Sequence, residues 1–414
     1  MQEENQNLVG WQPKINISSA AKAVTDVADI ARQIAENTIK EDIPYFFENI
    51  WDCVEGCGVS LDKIRLRLMH RAIQYITLVT PALCNVSYQW IYPEIIRPKV
   101  RDRIRQYPFP TIRQLLNPRE AVWGNAQGQI EPPRYSTPID PNTFIFDDTR
   151  EAWVFIHGML YKAVERDGSD FTHDERIDAF DFFRTFESEA RVFNPDRSIP
   201  NPPNAALIDI YLISYDSEMS GEDERQLQMV LEDFVFNGNI FPTIAAAFWT
   251  EMKTRAEETA TYIRPFLEEL QGRNRGRAIT HSLGCYVLAH AAQQMMENER
   301  IAAFSSWWCM SAAMRSDAFS NTGEYNLAPL IAGIWDGLGH GTSVWYSLAD
   351  VTLQIIYPFG ECATALGMTG LGVNDDGYAH DFDITKIVDV YHGPAGEYMT
   401  RLGSHIRGAL NTGN

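Results

Sequence analysis

Residues 277–285 read RAITHSLGC, a short apolar run that leads to Ser282 and then to Gly284. We interpret the run as a strand that ends in a tight turn at Ser282, after which Gly284 lets a helix pack close to the strand. Such a turn is typical of a nucleophile elbow, which presents a serine Oγ beside the free N–H groups of a helix N-terminus. Thr280 departs from the commoner pattern, which has glycine at that position. The alternative interpretation is a serine that caps a helix after a buried strand.

A second stretch, WVFIHGML at residues 153–160, predicts another apolar strand that ends in His157 and Gly158. Glycine at this point lets the backbone approach a ligand closely. The backbone N–H groups of Met159 and Leu283 would then face one developing oxyanion, at about 3 kcal/mol for each donor. An ordinary turn is the alternative, and we expect a structural role for the His157 side chain.

Beyond residue 150, short apolar runs alternate with stretches of helical periodicity. The predicted strands are Trp153–Ile156, Leu207–Ser214, Ala278–Thr280, Trp307–Ser311, Ser343–Ser347 and Ile387–Tyr391. The predicted helices are Glu175–Phe186, Thr250–Leu270, Leu283–Met296 and Glu397–Leu410. Unbroken apolar strands are expected where both faces of a parallel sheet are covered. The pattern therefore predicts a doubly wound, mostly parallel α/β sheet with functional groups at the carboxyl ends of its strands.

With these two motifs, residues 150–410 resemble the α/β-hydrolase superfamily, and more narrowly the bacterial esterase/lipase-like serine hydrolases. Thr250–Leu270 looks like that family's long helix ahead of the elbow strand, and SVWYSLAD at residues 343–350 looks like its acid-bearing strand end. The resemblance implies a catalytic triad in the chain order serine, acid, histidine. It also implies that His281, at a position where the family often has histidine, lines the side of the elbow and is not a second base.

Asp350 is the preferred acid, because it follows an apolar strand and an acid at that end can orient an imidazole. Two other aspartates compete with it. Asp317 follows the strand Trp307–Ser311 after a longer tail, and Asp336 lies in a glycine-rich turn. The alternative role for Asp350 is to cap a helix that begins at Val351.

Three late histidines are candidates for the base. His392 directly follows the predicted strand Ile387–Tyr391 and begins the loop before the last helix, so it is preferred. His405 lies within that predicted helix, where a base would be poorly aimed, and His380 lies in a loop. The family's histidine often comes after a longer gap from its strand, which keeps both alternatives open.

These residues predict a serine hydrolase that acts on carboxylic esters. Ser282 would attack the ester carbonyl and form an acyl-enzyme, while the histidine takes its proton and returns it to the leaving group. The substrate would be a small-molecule or lipid ester, and a cap at residues 218–244 would set its class. The alternatives are a non-catalytic α/β-hydrolase-fold interaction protein and a membrane adaptor that acts through the N-terminal helices.

The first 145 residues have a different character, and we place a domain boundary between a mostly helical region, 1–145, and a hydrolase domain, 146–414. Helical periodicity covers residues 18–40 and most of 61–105, whereas seven prolines break the stretch 107–142 into a predicted linker or extended wrap. Residues 63–119 carry eleven Lys and Arg against two acidic residues, a local net charge of +9. This segment predicts contact with an anionic membrane surface or with the acidic remainder of the chain.

Composition and charge exclude several classes of protein. The 414 residues are 45% hydrophobic and 22% charged, which is ordinary for globular proteins and excludes a disordered or fibrous chain. A net charge of −20 argues against nucleic acid as a partner. Six scattered cysteines and the lack of a secretory signal favour a reducing, cytoplasmic location, with or without membrane association. Motifs for dinucleotides, phosphate loops and zinc proteases are missing, so we expect no cofactor and no metal.

Overall fold

The structure is a computed structural model. It describes residues 109–124, 136–161, 163, 178–194, 203–218, 240–273, 275–336, 340–350, 352–354, 357, 361, 363–371, 378–393 and 397–412, with the backbone alone over 240–248. The helices predicted before residue 107, and most of the predicted cap at 218–244, lie outside these ranges.

Eight strands of the described chain form one sheet. They are β1 (Thr111–Leu115), β2 (Ser136–Ile139), β3 (Glu151–Ile156), β4 (Ile208–Ser214), β5 (Gly276–His281), β6 (Ser306–Met310), β7 (Gly341–Tyr346) and β8 (Ala379–Asp383). Their order across the sheet is β2-β1-β4-β3-β5-β6-β7-β8. The strands from β3 to β8 are parallel, whereas β1 runs antiparallel to both β2 and β4. The predicted α/β class with a mostly parallel sheet is therefore confirmed.

Helices connect and cover these strands. They are α1 (Pro118–Trp123), α2 (Ala179–Ala190), α3 (Ile240–Glu269), α4 (Leu283–Asn298), α5 (Leu366–Thr369), α6 (Thr385–Val388) and α7 (Met399–Thr412). α2 begins where it does because the Asp178 carboxylate accepts the N–H groups of Phe180 and Asp181, at 2.9 and 3.1 Å. No helix in the described ranges combines the length and the apolar character needed to cross a lipid bilayer.

The two faces of the sheet carry separate hydrophobic cores, and β3 contributes to both. Trp153 and Phe155 pack with α2 and α7, while Val154 and Ile156 pack with α3 and α4 on the other face. Successive side chains of a strand point to opposite faces, so an unbroken apolar strand fits only a sheet covered on both sides. Each fully buried side chain of this size contributes about 1.5–3 kcal/mol to folding.

The predicted strand Ile387–Tyr391 is wrong. Residues 385–388 form the helix α6, and the last strand is β8, which reads AHDFD. β8 is an edge strand of the described sheet and buries only its first residue, Ala379, so it lacks the apolar run by which strands are recognised. The apolar spacing after it belongs to α6 and the residue before it, because Ile384 and Val388 are both buried in the core.

Two strands come from the proline-rich stretch 107–142, where the sequence pattern predicts none. β1 pairs with β4 along its whole length, and β2 pairs with β1 on the other side. Pro138 fits into β2 because an edge strand does not need every N–H group for the ladder. β1 and β2 are thus additions to the expected sheet. The boundary after residue 145 stays a prediction, since the helices expected before residue 107 lie outside the described chain.

Candidate active site

Ser282 occupies the turn between β5 and α4 in a backbone conformation that residues with a side chain rarely adopt. Its φ is 51° and its ψ is −120°. Its N–H donates to the Met310 carbonyl at 3.0 Å, and its carbonyl accepts the N–H groups of Cys285 and Ala313, both at 3.1 Å. These bonds hold the turn in its strained form. The Ser282 side chain makes no capping bond to α4, so the hydroxyl is left for another partner.

Two glycines allow the start of α4 and the Ser282 turn to lie against the end of β3 and the loop that follows it. A Cβ atom at Gly284 would stand 2.3 Å from the Ile156 carbonyl oxygen and 2.4 Å from that of His157. A Cβ atom at Gly158 would stand 2.8 Å from the Cβ of Ser282. These distances are shorter than the contacts that a real Cβ atom makes. Only glycine at positions 158 and 284 therefore lets the two backbone segments lie so close together.

Ser282, His392 and Asp350 form a continuous hydrogen-bonded chain. The Oγ of Ser282 lies 2.9 Å from the Nε2 of His392, and the Nδ1 of His392 lies 2.7 Å from the Oδ2 of Asp350. Asp350 is fully buried, while Ser282 and His392 keep 4% and 7% of their surface exposed. The structure thus brings together the serine, the preferred acid and the preferred histidine.

Asp350 uses its two carboxylate oxygens for different partners. Oδ2 binds His392, and Oδ1 accepts the N–H of Leu353 at 3.0 Å. The second bond is the helix-capping interaction that sequence analysis offered as an alternative. The two roles are therefore compatible.

The hydrogen-bond network assigns the proton on His392. An ionised carboxylate only accepts, so the Nδ1 of His392 carries the hydrogen and donates it to Asp350. The Nε2 atom is then left with a lone pair that accepts the Ser282 hydroxyl proton. This tautomer is the one that a general base for the serine needs.

His281 lies beside this chain without joining it. Its Nε2 donates to the backbone carbonyl of His392 at 2.8 Å, and its Nδ1 has no hydrogen-bond partner among the described residues. Burial, together with the neighbouring His392 ring, holds the pKa of His281 well below its ordinary value. A neutral ring that supports the His392 loop agrees with the expectation that His281 is not a second base.

His157 is enclosed by aromatic rings. It stacks between Tyr161 and Tyr215, with ring centroids at 4.6 and 4.5 Å. Burial lowers the pKa of His157 to about 3, so its ring is neutral near pH 7. Its Nδ1 lies 2.9 Å from the carbonyl oxygen of Gly158, and the N–H of Tyr215 donates to its Nε2 at 3.4 Å. These contacts fit the structural role expected of it.

The two N–H groups predicted for an oxyanion hole belong to residues that flank the Ser282 side chain. Leu283 is the first residue of α4, so no carbonyl one turn earlier in the helix accepts its N–H. Met159 follows Gly158, whose Cα lies against the Ser282 side chain. Their role as oxyanion donors stays a prediction.

The other candidate acids and bases have different contacts. His405 is exposed on α7, and His380 stacks on the ring of Trp335 with centroids 5.0 Å apart. Asp317 forms an exposed ion pair with Arg315, and Asp336 binds His340. These contacts are made with residues other than Ser282, whereas His392 contacts Ser282 directly.

A cavity of about 240 Å³ lies beside the elbow. Ala313 lines it and donates its N–H to the Ser282 carbonyl at 3.1 Å. The walls carry several charged and hydroxyl-bearing side chains, among them the ion pair of Lys253 with Glu361 at 2.7 Å. The Tyr357 hydroxyl is buried in this wall without a hydrogen-bond partner in the described chain. The cavity is therefore a polar one.

No protein-family model matches this sequence, and no curated protein shows significant similarity to it. Within the described ranges, no group of three or more His, Cys, Asp and Glu side chains is arranged to hold a metal ion. The geometry around Ser282 therefore carries the functional assignment.

The loop after β4 is the part of this site that sequence analysis missed. The hydroxyl of Ser217 donates to the Gly158 carbonyl at 2.7 Å, and the N–H of Leu160 donates to the Ser217 carbonyl at 2.9 Å. A signal for it exists in the sequence. The sequence predicts Leu207–Ser214 as a strand of the parallel sheet, and polar residues that follow such a strand reach the same end of the strands as the elbow.

Proposed function

We propose that this protein is a serine hydrolase with an α/β-hydrolase fold that cleaves carboxylic esters. The observation that carries the proposal is the chain of two hydrogen bonds from Ser282 through His392 to Asp350, at 2.9 and 2.7 Å. A strained serine whose hydroxyl meets an imidazole, itself oriented by a buried carboxylate, is the arrangement that activates a serine nucleophile.

The reaction would proceed in two steps. The Ser282 Oγ attacks the ester carbonyl carbon while His392 Nε2 takes the hydroxyl proton, which gives a tetrahedral oxyanion held by the N–H groups of Met159 and Leu283. Collapse breaks the ester C–O bond, and His392 returns the proton to the departing alcohol. A water molecule, deprotonated by the same histidine, then attacks the acyl carbon. The bond from that carbon to Ser282 Oγ breaks, His392 returns the proton to the serine oxygen, and the carboxylic acid is released.

Asp350 would act through His392 and not on the substrate. When His392 takes the serine proton, the imidazolium is stabilised by the carboxylate 2.7 Å away. The buried position of Asp350 removes competing water and strengthens this interaction.

The order of the three residues along the fold supports the proposed hydrolase function. The sheet has helices on both faces, as a doubly wound sheet does, and the three residues follow β5, β7 and β8 in the order serine, acid, histidine. Active groups of open α/β sheets gather at the carboxyl ends of the parallel strands. This order is the one implied by the resemblance to esterase/lipase-like hydrolases.

The polar cavity near the elbow does not decide the substrate class, because neither the three residues of the hydrogen-bonded chain nor Met159 and Leu283 line it. Its volume of about 240 Å³ is also small for a ligand site. Our proposal therefore covers small-molecule and lipid esters alike. We keep the cytoplasm as the compartment, and contact of residues 63–119 with anionic membranes as a prediction.

Labelling with a fluorophosphonate probe tests the proposal, because the probe reacts with a serine that a base and an oxyanion hole already activate. We expect the wild type and a Ser305→Ala control to be labelled, and Ser282→Ala to lose labelling and ester hydrolysis. Ser305 is a matched control because it directly precedes β6, at the amino ends of the strands, whereas Ser282 lies at their carboxyl ends. Folded wild type that takes no label would instead favour a non-catalytic interaction protein.

A further inference from the structure

We propose that Ser217 is a positioning residue that aims the Met159 N–H into the oxyanion hole. The inference rests on the proposed function. Ser217 lies outside both sequence motifs, on the loop that follows β4.

The peptide bond between Gly158 and Met159 joins the carbonyl that Ser217 binds to the N–H group of Met159. A peptide unit is planar and trans, so the carbonyl of Gly158 and the N–H of Met159 point in opposite directions. Any group that holds the carbonyl oxygen therefore also sets the direction of the N–H. Gly158 lies against Ser282, so this peptide unit flanks the reacting serine.

Two donors hold the Gly158 carbonyl oxygen. The Ser217 hydroxyl lies 2.7 Å from it, and the His157 Nδ1 lies 2.9 Å from it. The Nε2 of His157 accepts the N–H of Tyr215, so the ring hydrogen is on Nδ1 and points at the carbonyl. Two bonds from different directions fix the peptide plane, whereas one bond would leave it free to tilt.

The Ser217 proton has one best acceptor. The hydroxyl oxygen accepts the N–H of Tyr161 at 3.1 Å, and the carbonyl of Tyr161 lies at 3.2 Å, farther than that of Gly158. The Ser217 N–H also donates to the Tyr161 carbonyl at 2.9 Å. Ser217 thus binds the loop after β3 at two points. Its hydroxyl donates to the carbonyl of Gly158, and its backbone N–H donates to the carbonyl of Tyr161.

Ser217 is itself held in place by a buried cation. The Nη1 of Arg255 donates to the carbonyl and to Oδ2 of Asp216, at 3.2 and 3.1 Å, and to the carbonyl of Glu218 at 3.0 Å. These partners are the residues on either side of Ser217. Arg255 lies on α3, so the helix and its core fix the loop that fixes the oxyanion donor.

An oxyanion donor stabilises the transition state only when it is already aimed at the place where charge develops. Removal of the Ser217 hydroxyl should therefore weaken binding of the tetrahedral intermediate and leave binding of the planar ester nearly unchanged. A role in folding alone would have no such preference.

The test compares Ser217→Ala with Ser305→Ala. Ser305 also donates through its hydroxyl to a glycine carbonyl, that of Gly276, at 2.7 Å. This bond lies at the amino ends of the strands, whereas the elbow lies at their carboxyl ends. We expect kcat of Ser217→Ala to fall about 10- to 100-fold with KM nearly unchanged. The inhibition constant of a trifluoromethyl ketone, which forms a tetrahedral adduct, should rise by the same factor. Ser305→Ala should change neither.

Ser217→Cys supplies a second variant of nearly the same shape with a weaker donor, in case Ser217→Ala does not fold. It should lose kcat in the same direction, but less. Equal kcat for wild type and either folded variant would overturn the inference, as would a loss that appears only in KM. A wild type that takes no fluorophosphonate label would instead overturn the proposed function.

Discussion

At the residue scale, the chemistry of this site depends on which oxygen or nitrogen each side chain presents. Asp350 presents Oδ2 to His392 and Oδ1 to the N–H of Leu353, so its carboxylate both orients the His392 ring and caps a turn. His392 presents a lone pair to Ser282 only because its other nitrogen donates to Asp350. Exchange of a single atom in this chain should therefore stop catalysis and leave the fold intact.

Asp350→Asn makes that exchange. The amide keeps the shape of the carboxylate but can donate to Nδ1, which places the hydrogen on Nε2 and leaves no lone pair for the serine. We expect kcat to fall about 10⁴-fold, as such an exchange does in serine proteases. Steady-state hydrolysis of an activated ester measures it, with Asp317→Asn as the control. Asp317 is the exposed competitor, so equal losses in the two variants would exclude Asp350 as the acid.

At the element scale, the site depends on how closely α4 can lie against the end of β3. Gly284 is in the first turn of α4, and the carbonyls of Ile156 and His157 occupy the space that its side chain would take. These carbonyls belong to the backbone of a central strand and its loop. They cannot move without disturbing the sheet, which is why the elbow needs a glycine at this position.

Gly284→Ala should therefore destabilise the protein, although alanine is the better helix former. We expect the free energy of unfolding to fall by about 1–3 kcal/mol, because overpacking forces the backbone to shift. Gly408→Ala is the matched control. It is also helical, but apart from its chain neighbours and the backbone of its own helix no atom of the described chain lies within 4 Å of the added Cβ. Alanine should therefore raise the free energy of unfolding by up to about 1 kcal/mol. Urea unfolding measures the free energy of unfolding of both variants. An equal change in the two variants would contradict the close contact between Gly284 and the end of β3.

At the scale of the whole molecule, buried ionisable groups link stability to pH. Burial lowers the pKa of His157 to about 3 and holds that of His281 well below its ordinary value. As the pH falls below about 6.5, the unfolded chain binds these protons and the folded chain does not, so both histidines reduce stability. Asp178 acts in the opposite direction between about pH 7 and 4, because burial raises its pKa to about 7. Below about pH 6.5 the destabilising effect of two histidines outweighs the stabilising effect of one aspartate. Acidification from pH 6.5 to about 4 therefore lowers the combined contribution of these groups to stability.

His157→Asn isolates one of these protons, because the asparagine amide can replace the Nδ1 donor without titrating. Between pH 6 and 5 we expect the free energy of unfolding of this variant to depend less on pH than that of the wild type, by about 1.4 kcal/mol per pH unit. His405→Asn, which changes an exposed histidine, should keep the wild-type slope. An unchanged slope for His157→Asn would show that His157 is protonated in the folded protein.

Local pattern was enough to predict five of the parallel strands, the helices α3 and α4, and the turn at Ser282. Each of these predictions depends only on residues that are close together in the sequence. An apolar run covered on both faces has no polar alternation, and a serine two residues before a glycine at a strand end predicts a tight turn. Met159, Leu283 and Asp350 could be selected in the same way, because each comes shortly after a strand or opens a helix.

The remaining features came from the tertiary structure, because they depend on contacts between distant parts of the chain. β8 is polar and lies at an edge of the described sheet, so only pairing with β7 identifies it, and β1 is recognisable only by its antiparallel register on β4. The choice of His392 over His380 and His405 was equally non-local, since it meets Ser282 across 110 residues of sequence. By itself the sequence determined the strained serine and the strands around it. Which imidazole meets that serine, and which hydroxyl holds the Gly158 carbonyl, were decided by packing, because a hydrogen bond requires donor and acceptor atoms within about 3 Å.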